Sequence, residues 1–369
     1  MTALSLDADR LAVGPAEGIR RRATPGQRVR SFAGIALAAA LLGIGLPAVT
    51  GVAWSATGQA IAAVPVRWLA GLVVLWMLGL LVNTLVLRAS LPTLTSRRAL
   101  TLSLTGSAVA NVMPLGGAAG IALNYRMLRS WGYSRSHVAT YTVVSNIWDV
   151  LGKLVLVAVV LPWVALAGSA VLGHVATTAL VLAVGAAVVL GLAVAALASQ
   201  AIGTRLATLA EQAVARILQL VGSSRRPSFR EQVAAAQQQT RGVVRRGWAQ
   251  ASVGVTGYIL MLFALLWASL YVAGVSVPLV AIVAAFALDR LFTLGGITPG
   301  GAGLVELGIA TVLLAAGGDP LAVTAGILLY RTLTFAMEIP VGGVWLAVWE
   351  WRRGRSSRAL AAGSVGGAR

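Results

Sequence analysis

The sequence lacks cysteine, contains a single lysine and has only two histidines among its 369 residues. The absence of cysteine excludes a disulfide framework, a thiolate metal site and a cysteine nucleophile. His137 and His174 fall on opposite sides of the predicted membrane helices, and no P-loop, G-x-S-x-G or His-Glu metal spacing occurs. We therefore expect no catalytic residue, no metal site and no cofactor.

Charged residues are also scarce: they make up 11% of the chain, whereas a soluble domain has roughly 25%. Apolar residues make up 58%, and the mean hydropathy is +0.85. One soluble core could not bury so much apolar surface, and the apolar segments extend along nearly the whole chain. The composition excludes an ordinary soluble domain and indicates a membrane protein.

A membrane-spanning helix needs about 20 mostly apolar residues, and six stretches of the sequence meet this requirement. They cover residues 32–54, 68–87, 138–166, 169–198, 249–275 and 320–349. Basic residues precede the first stretch, as in a signal peptide, but its length and the lack of a convincing A-x-A cleavage site favour a retained anchor. We therefore predict six full crossings of the membrane.

Two further apolar stretches, 99–130 and 278–317, are each interrupted by proline and glycine. The breaks are Pro114-Leu115-Gly116-Gly117-Ala118-Ala119-Gly120 and Thr298-Pro299-Gly300-Gly301-Ala302-Gly303. Backbone at such a break loses hydrogen bonds that lipid cannot replace, so it must line protein or a watery cavity. We predict that each stretch forms a re-entrant helical hairpin, with glycine-rich packing kinks as the alternative.

The positions of the basic residues indicate the topology of the chain. If the N-terminus is cytoplasmic and each hairpin enters and leaves by one face, 25 of the 29 basic residues fall on the cytoplasmic side. The first hairpin then opens to the cytoplasm and the second to the outside. We therefore predict an all-α polytopic membrane fold in which two halves, 31–198 and 248–350, form an inverted repeat.

The remaining segments are polar and basic. Residues 1–30 and 351–369 are predicted cytoplasmic tails, and residues 199–247 are a predicted cytoplasmic linker. Apolar residues recur at helical spacing from Leu206 to Val221, which fits either an amphipathic helix on the inner leaflet or an ordinary loop. Because the topology accounts for the arginines, the net charge of +18 does not predict a nucleic-acid partner.

Charged residues inside membrane segments are costly and are often functional. With Arg126 and Arg129 assigned to the cytoplasmic end of the first hairpin, seven remain in the predicted spans and hairpins: Asp149, Lys153, Asp289, Arg290, Glu306, Arg331 and Glu338. Asp149 and Lys153 are four residues apart on a predicted helix, so they can pair with each other. The alternative is that Asp149, with Asn146 one turn before it, contacts a substrate.

Arg331 is a candidate for contact with an anionic headgroup, because a guanidinium can form two parallel charge-assisted bonds with a phosphate. It can instead pair with Glu306 or Glu338. Backbone N–H groups at the glycine breaks, next to a helix N-terminus, would add to an anion site, although such glycines also serve close helix packing. The predicted binding residues are Arg331, Glu306, Gly300, Gly301, Gly303, Asp149, Asn146, Arg126, Gly116 and Gly117.

Three motifs follow one another within apolar sequence in the C-terminal half. They are Ile297-Thr298-Pro299-Gly300-Gly301-Ala302-Gly303-Leu304-Val305-Glu306, Leu329-Tyr330-Arg331-Thr332-Leu333-Thr334-Phe335 and Pro340-Val341-Gly342-Gly343. In these motifs the chain resembles the lysylphosphatidylglycerol synthase transmembrane-region family, also called flippase-like integral membrane proteins. The first half is similar but departs from the family pattern at residues 121–126 and 145–149.

The resemblance implies translocation of a phospholipid or lipid-linked headgroup between the leaflets of a bacterial plasma membrane. Because no large soluble segment follows residue 350, we expect a transporter without the aminoacyl-transfer domain of full-length synthases, and not an enzyme. The alternatives are a membrane-embedded lipid-headgroup or glycosyl transferase, with Asp149 or Glu306 as base, and a non-transporting scaffold. An envelope-lipid biosynthetic enzyme and a second copy of the chain are candidate protein partners.

Overall fold

The structure is a computed structural model that describes residues 35–113, 116–167, 174–220, 247–295 and 298–366, together with residues 234, 237 and 238. The predicted N-terminal tail 1–30 and most of the predicted linker beyond Leu220 lie outside these ranges. So do Pro114 and Leu115 of the first predicted break, and Ile297, the first residue of the motif that ends at Glu306.

Every regular element in the described ranges is a helix, which confirms the predicted all-α fold. The helices are α1 (Ile35–Thr50), α2 (Trp54–Ala62), α3 (Val66–Ser90), α4 (Ser96–Val112), α5 (Gly116–Ser130), α6 (Arg135–Ala167), α7 (His174–Ala198), α8 (Gln200–Leu220), α9 (Trp248–Val272), α10 (Leu279–Gly295), α11 (Leu304–Ala315), α12 (Pro320–Arg331) and α13 (Glu338–Gly366). A 3₁₀ turn, Pro299–Gly301, precedes α11, and a π-helical turn, Thr332–Ala336, joins α12 to α13.

Among the described residues, five helical segments are long and apolar enough to cross a membrane. They are Val66–Ser90, Arg135–Leu166, Val181–Ala198, Trp248–Val272 and Pro320–Arg353. A sixth span exists only if α1 and α2 count as one, and they meet at an angle of 87°. Gly51 ends α1 with a φ of +70°, a left-handed conformation that terminates a helix. The first predicted crossing, 32–54, therefore turns sharply near its end.

Helices α3 and α9 pack along each other as an antiparallel pair. The rings of Trp68 and Tyr271 lie 6.1 Å apart at one end, and Gln250 Nε2 donates to the carbonyl of Leu85 at 3.3 Å near the other. Gly254 allows the backbones to approach, because a Cβ there would lie 2.9 Å from a backbone nitrogen of α3. Small residues serve close helix packing in membranes in the same way.

The first interrupted stretch forms a hairpin in which α4 and α5 pack against each other. Gly120 faces α4 so closely that a Cβ there would lie 2.8 Å from the carbonyl oxygen of Gly106. The two open ends also meet, since the guanidinium of Arg98 lies 5.1 Å from the ring centre of Trp131. The two ends of the predicted stretch 99–130 therefore lie next to each other at the open end of the hairpin.

The second interrupted stretch forms a hairpin from α10 and α11. A Cβ on Gly308 would clash with the ring of Phe292, so the two helices are in close contact near their connection. At the open end, a Cβ on Gly318 would lie 3.2 Å from Val277. The main cluster of buried apolar side chains surrounds this hairpin, between α3, α9, α10, α11 and α12.

The two hairpins begin at opposite ends of the α3–α9 pair. The first hairpin follows the Ser90 end of α3, the second follows the Val272 end of α9, and α3 and α9 run antiparallel. The packing between the halves is reciprocal: α4 packs along α13, and α10 packs along α6. Both observations support the inverted repeat, which stays a prediction.

Candidate functional site

The turn of the second hairpin depends on three glycines in the left-handed region. Gly300, Gly301 and Gly303 have φ values of +56°, +71° and +85°. At Gly300 a side chain is excluded by space as well, because a Cβ would lie 2.6 Å from the ring of Phe335. The P-G-G-A-G sequence is thus needed for the shape of this turn.

Glu306 and Arg331 hold this turn in place. Glu306 Oε2 accepts a hydrogen bond from the Gly303 N–H at 2.7 Å, and its Oε1 accepts one from Arg331 Nε at 2.7 Å. Arg331 Nη2 also donates to the carbonyl of Gly300 at 3.0 Å. The two residues are 2% and 6% exposed, so the ion pair is closed to solvent. Of the pairings open to Arg331, the structure contains the one with Glu306; contact with a phosphate remains a prediction.

A second buried ion pair lies on α10. Arg290 Nη2 is 2.6 Å from Asp289 Oδ2, the hydroxyl of Tyr330 donates to the same Oδ2 at 2.8 Å, and Arg290 Nη2 donates to that hydroxyl at 3.0 Å. Asp289 is fully buried. Neighbouring residues on a helix do not usually face each other, which is why sequence spacing did not predict this pair or the part played by Tyr330.

The inner ends of the two hairpins meet. Asn111, in the last turn of α4, donates to Glu338 Oε2 at 3.1 Å and to the carbonyl of Phe335 at 3.4 Å. A Cβ on Gly300 would lie 2.9 Å from Asn111 Oδ1, so the amide also lies against the turn of the second hairpin. The irregular backbone of the second turn is therefore in contact with the end of α4.

A polar cavity of about 420 Å³ borders the first hairpin. Its walls come from α3, α4, α5, α6 and α9, and they are unusually polar for helices so apolar overall. The polar lining residues are Asn83, Ser103, Ser107, Asn124, Tyr141, Thr142, Ser145, Asn146, Asp149, Lys153 and Tyr258. A lipid-facing surface would not carry this set, because unpaired polar groups are costly in hydrocarbon.

Asp149 and Lys153 form the charged part of the cavity wall. Lys153 Nζ donates to Asp149 Oδ2 at 2.8 Å, so the predicted pairing is present. The Asp149 side chain is 47% exposed, unlike the buried acids of the second half, and it also faces the cavity. Asn146 lies one turn earlier and donates to the carbonyl of Thr142 at 2.7 Å. Pairing and substrate contact are therefore compatible for this carboxylate.

The other predicted binding residues of the first half lie in three different places. Gly117 is exposed and lines the cavity. Gly116 is buried against α4, where a Cβ would clash with the carbonyl of Ala110. Arg126 lies away from the cavity lining and pairs with Glu350 at 2.8 Å. The structure thus joins Asp149, Asn146 and Gly117 in one site and Gly300, Gly301, Gly303, Glu306 and Arg331 in another.

Several neutral polar residues of the cavity were not predicted from the sequence. Asn124 is the most informative, because its Oδ1 is shielded from solvent and accepts no hydrogen bond from the described residues. Ser103 and Ser107 are four residues apart on α4, a spacing that places both on one helix face. The sequence pattern that could have identified these residues is the recurrence of polar residues at helical spacing within an interrupted apolar stretch. The cavity can therefore offer amides, hydroxyls and one pair of opposite charges to a bound group.

These observations define a multi-pass, all-helical membrane protein with two helical hairpins and a polar cavity within its helices. The chain belongs to the family described as the lysylphosphatidylglycerol synthase TM region, whose model matches residues 31–342. This match confirms the resemblance drawn from the P-G-G-A-G and L-Y-R motifs. No curated protein matches the chain.

Proposed function

We propose that this protein binds the headgroup of a phospholipid or a lipid-linked molecule in its first-half cavity and moves it between the leaflets. The observation that carries the proposal is the polar cavity between membrane-spanning helices, with Asp149 and Lys153 in its wall. Ligand sites typically have volumes of about 300–1,000 Å³, and the cavity, at about 420 Å³, lies in this range.

The lining matches the chemistry of a headgroup. The ammonium of Lys153 and the amides of Asn83, Asn124 and Asn146 can donate to a phosphate, while the Asp149 carboxylate can accept from an ammonium or a hydroxyl. A headgroup bound there would satisfy polar atoms that otherwise face the bilayer interior. The acyl chains would stay in lipid, outside the cavity.

The second half supplies the fixed part of the proposed transporter. Glu306 and Arg331 use hydrogen bonds to each other and to the glycine turn, and both are buried. A phosphate would reach Arg331 only after this hairpin opened. We therefore place the first contact with the headgroup at Asp149 and Asn146, and keep contact with Arg331 for an opened conformation.

A translocation assay with the full chain in vesicles tests the proposal. Fluorescent lipids in the inner leaflet, exposed to a membrane-impermeant reducing agent, report movement to the outer leaflet. We expect Asp149→Asn and Lys153→Met to slow translocation by about tenfold or more, because each removes a charge-assisted contact. The matched control is Asp319→Asn, which removes a carboxylate outside the cavity but keeps an N-cap residue that accepts from Ala322.

Three outcomes would count against the proposal. Translocation by both cavity variants at the wild-type rate would exclude the cavity as the lipid path. A wild-type protein that moves no lipid would favour a scaffold. A new lipid product in the same vesicles, detected by mass spectrometry, would favour a membrane-embedded transferase.

Membrane placement is the second part of the proposal: a bacterial plasma membrane, both termini in the cytoplasm and hairpins re-entrant from opposite faces. Because the chain has no cysteine, introduced cysteines can be labelled individually with an impermeant reagent. We expect Ser96→Cys and Ser134→Cys, which flank the first hairpin, to react from the cytoplasmic side. Ser276→Cys and Ala315→Cys, at the second hairpin, should react from the outside. Labelling of the two ends of either hairpin from different sides would exclude re-entry.

A further inference from the structure

Of the three buried acids in the described ranges, Glu338 is the one without an ion pair. The other two, Glu306 and Asp289, each pair with an arginine. Glu338 is 7% exposed and accepts a hydrogen bond from the amide of Asn111. A charge that is removed from water without a counter-ion is costly. Glu338 is therefore the buried acid whose charge could change without breaking an ion pair.

The hydrogen-bonding groups around Glu338 suit both charge states of a carboxyl group. Asn111 Nδ2 donates to Glu338 Oε2 at 3.1 Å, and an amide can donate to a carboxylate or to the carbonyl oxygen of an acid. The hydroxyl of Ser107 lies within hydrogen-bonding reach; it can donate to the carboxylate or accept from the acid. The indole of Trp76, on α3, also faces the carboxyl group. Protonation would therefore not place two donors against each other.

Glu306 and Asp289 are not suited to a change of charge. The oxygens of Glu306 accept from a backbone N–H and from Arg331 Nε, and neither group can accept a hydrogen bond in return. A proton on Asp289 would leave the buried guanidinium of Arg290 without its counter-ion. This contrast separates Glu338 from the two acids that fix the second half.

Ser107 connects Glu338 with the polar cavity. It is partly exposed and lines the cavity wall, so its hydroxyl borders both the cavity and the carboxyl group. Tyr258, on α9, also lines the cavity and lies within electrostatic range of Glu338. The charged group that acts on Glu338 is Arg331, which has its own ion-pair partner. A proton from the cavity can therefore reach Glu338 without crossing the apolar core.

Glu338 also lies where the two hairpins meet. Its partner Asn111 ends the first helix of the first hairpin and lies against Gly300 in the turn of the second. The π-helical turn Thr332–Ala336 separates Glu338 from Arg331, and such turns are frequent at functional sites. Since Arg331 donates to the carbonyl of Gly300, a change at Glu338 would act on the turn from both sides.

We propose that Glu338 is a proton-binding site that exchanges its proton with the cavity through Ser107, and that protonation loosens the contact between the two hairpins. The proton passes from cavity water to a carboxylate oxygen, and no other covalent bond changes. The bond from Asn111 to the carboxylate is charge-assisted, and such bonds are about twice as strong as neutral ones. Protonation therefore weakens this bond. The use of the proton to time lipid movement rests on the proposed function, whereas proton binding does not.

Infrared difference spectroscopy of the full chain in vesicles tests proton binding. The carbonyl band of protonated carboxyl groups should grow as the pH is lowered from mildly alkaline to mildly acidic values. Glu338→Gln should lack one component of this band. The matched control is Glu350→Gln, which removes an acid of the same helix that is 41% exposed and should retain the Glu338 component. Identical spectra of wild type and Glu338→Gln across this range would overturn the proton site.

Cysteine labelling tests the loosening of the contact. Thr298, at the second turn, is 3% exposed, and its hydroxyl has no hydrogen-bond partner among the described residues. Thr298→Cys should therefore react slowly with a small soluble thiol reagent while the contact is closed. Glu338→Gln reproduces the acid, since its amide can accept from Asn111 and donate to Ser107. Added to Thr298→Cys, it should speed labelling by about fivefold at mildly alkaline pH, because a neutral acceptor holds Asn111 less strongly than a charged one.

The two proteins should react at similar rates at mildly acidic pH, where Glu338 itself is protonated. Comparison at equal pH cancels the pH dependence of thiol reactivity. Glu350→Gln combined with Thr298→Cys should label like Thr298→Cys alone. A rate ratio that is the same at both pH values would overturn the link between protonation and the contact.

A second variant keeps the test decisive if Glu338→Gln does not fold. Asn111→Ala removes the donor of the same bond, so Thr298→Cys should then label quickly at both pH values; slow labelling would contradict the inference. Neither measurement needs a transported lipid. A protein that moves no lipid but shows both responses would retain the proton site, and one that moves lipid without either response would overturn this inference alone.

Discussion

The second hairpin is locked by buried ion pairs, whereas the first hairpin borders an open cavity. Arg331 and Glu306 are at most 6% exposed, and each bonds to the other and to the glycine turn. The Asp149 side chain, in the first half, is 47% exposed, and its Oδ2 accepts a hydrogen bond from Lys153 Nζ at 2.8 Å.

This difference separates two uses of charge in one membrane protein. A buried, fully bonded pair fixes local structure, since its donors and acceptors are used by the protein. An exposed carboxylate in a polar cavity keeps acceptor capacity for a ligand. The comparison predicts that charge removal in the second half should lower stability, and that charge removal in the first half should lower lipid binding.

The largest expected effect follows removal of one partner from the buried pair. Glu306→Ala leaves the Arg331 guanidinium buried without its carboxylate and removes the acceptor for the Gly303 N–H. Loss of one partner of a buried ion pair costs about 3–5 kcal/mol, so we expect the free energy of unfolding to fall by about this amount. Denaturant titration of the protein in detergent micelles, followed by circular dichroism, measures it.

The double variant Glu306→Met, Arg331→Met is the control for this measurement. It removes both charges and keeps apolar volume, so it should be more stable than Glu306→Ala. A Glu306→Ala protein as stable as wild type would show that the pair does not lock the hairpin. The contrast between the halves would then have no energetic basis.

Tyr330→Phe should have the next largest effect. It removes the hydroxyl that donates to Asp289 and accepts from Arg290, within a pair that is buried. A hydrogen bond to a charged group contributes about 1.5–3 kcal/mol, and we expect a loss of this size in the same titration. Tyr133→Phe is the control, because its hydroxyl bonds a carbonyl at an exposed position. Equal losses in the two variants would argue against a special role of the buried cluster.

Replacement of one glycine in each hairpin by alanine is a further test of the difference between the hairpins. Gly300→Ala places a side chain at a φ of +56° and within 2.6 Å of Phe335; strain in this backbone region costs about 1–3 kcal/mol. Gly117→Ala meets no atom within 4 Å, so its stability should be unchanged or rise by up to about 1 kcal/mol. The difference in unfolding midpoint between the two variants is the measurement. Two equal midpoints would contradict the requirement for glycine in the second turn.

Much of the architecture was predictable from the sequence because the bilayer imposes few solutions. Apolar length predicted the long helices, and the two breaks in apolar sequence predicted two helical hairpins, whose re-entry from one membrane face stays a prediction. The sequence analysis missed the bend between α1 and α2, because the mean hydropathy of an apolar run is the same whether or not Gly51 ends the helix. Its left-handed φ, not the composition of the run, decides the turn.

Two of the charged pairs were also predictable, because charges in apolar segments are rare enough to be considered one by one. Asp149 with Lys153 and Glu306 with Arg331 were among the predicted pairings, and both are present. Asn111, Asn124 and Tyr330 were missed, since neutral polar residues occur in membrane helices for many reasons. The bond from Asn111 to Glu338 joins residues 227 positions apart, and no local pattern encodes such a contact.

The smallest effect on stability should come from Asp149→Asn. This variant tests whether the charge in the first half contributes to lipid binding more than to stability. An i,i+4 pair with an exposed partner contributes about 0.3–0.5 kcal/mol, so the free energy of unfolding should fall by no more than this. Retention of co-purified phospholipid, measured by native mass spectrometry, should nevertheless decrease, because the carboxylate faces the cavity. Asp319→Asn should change neither quantity. If Asp149→Asn destabilised the protein as much as Glu306→Ala while lipid retention stayed constant, Asp149 would be a structural residue like Glu306, and the two halves would use their charges alike.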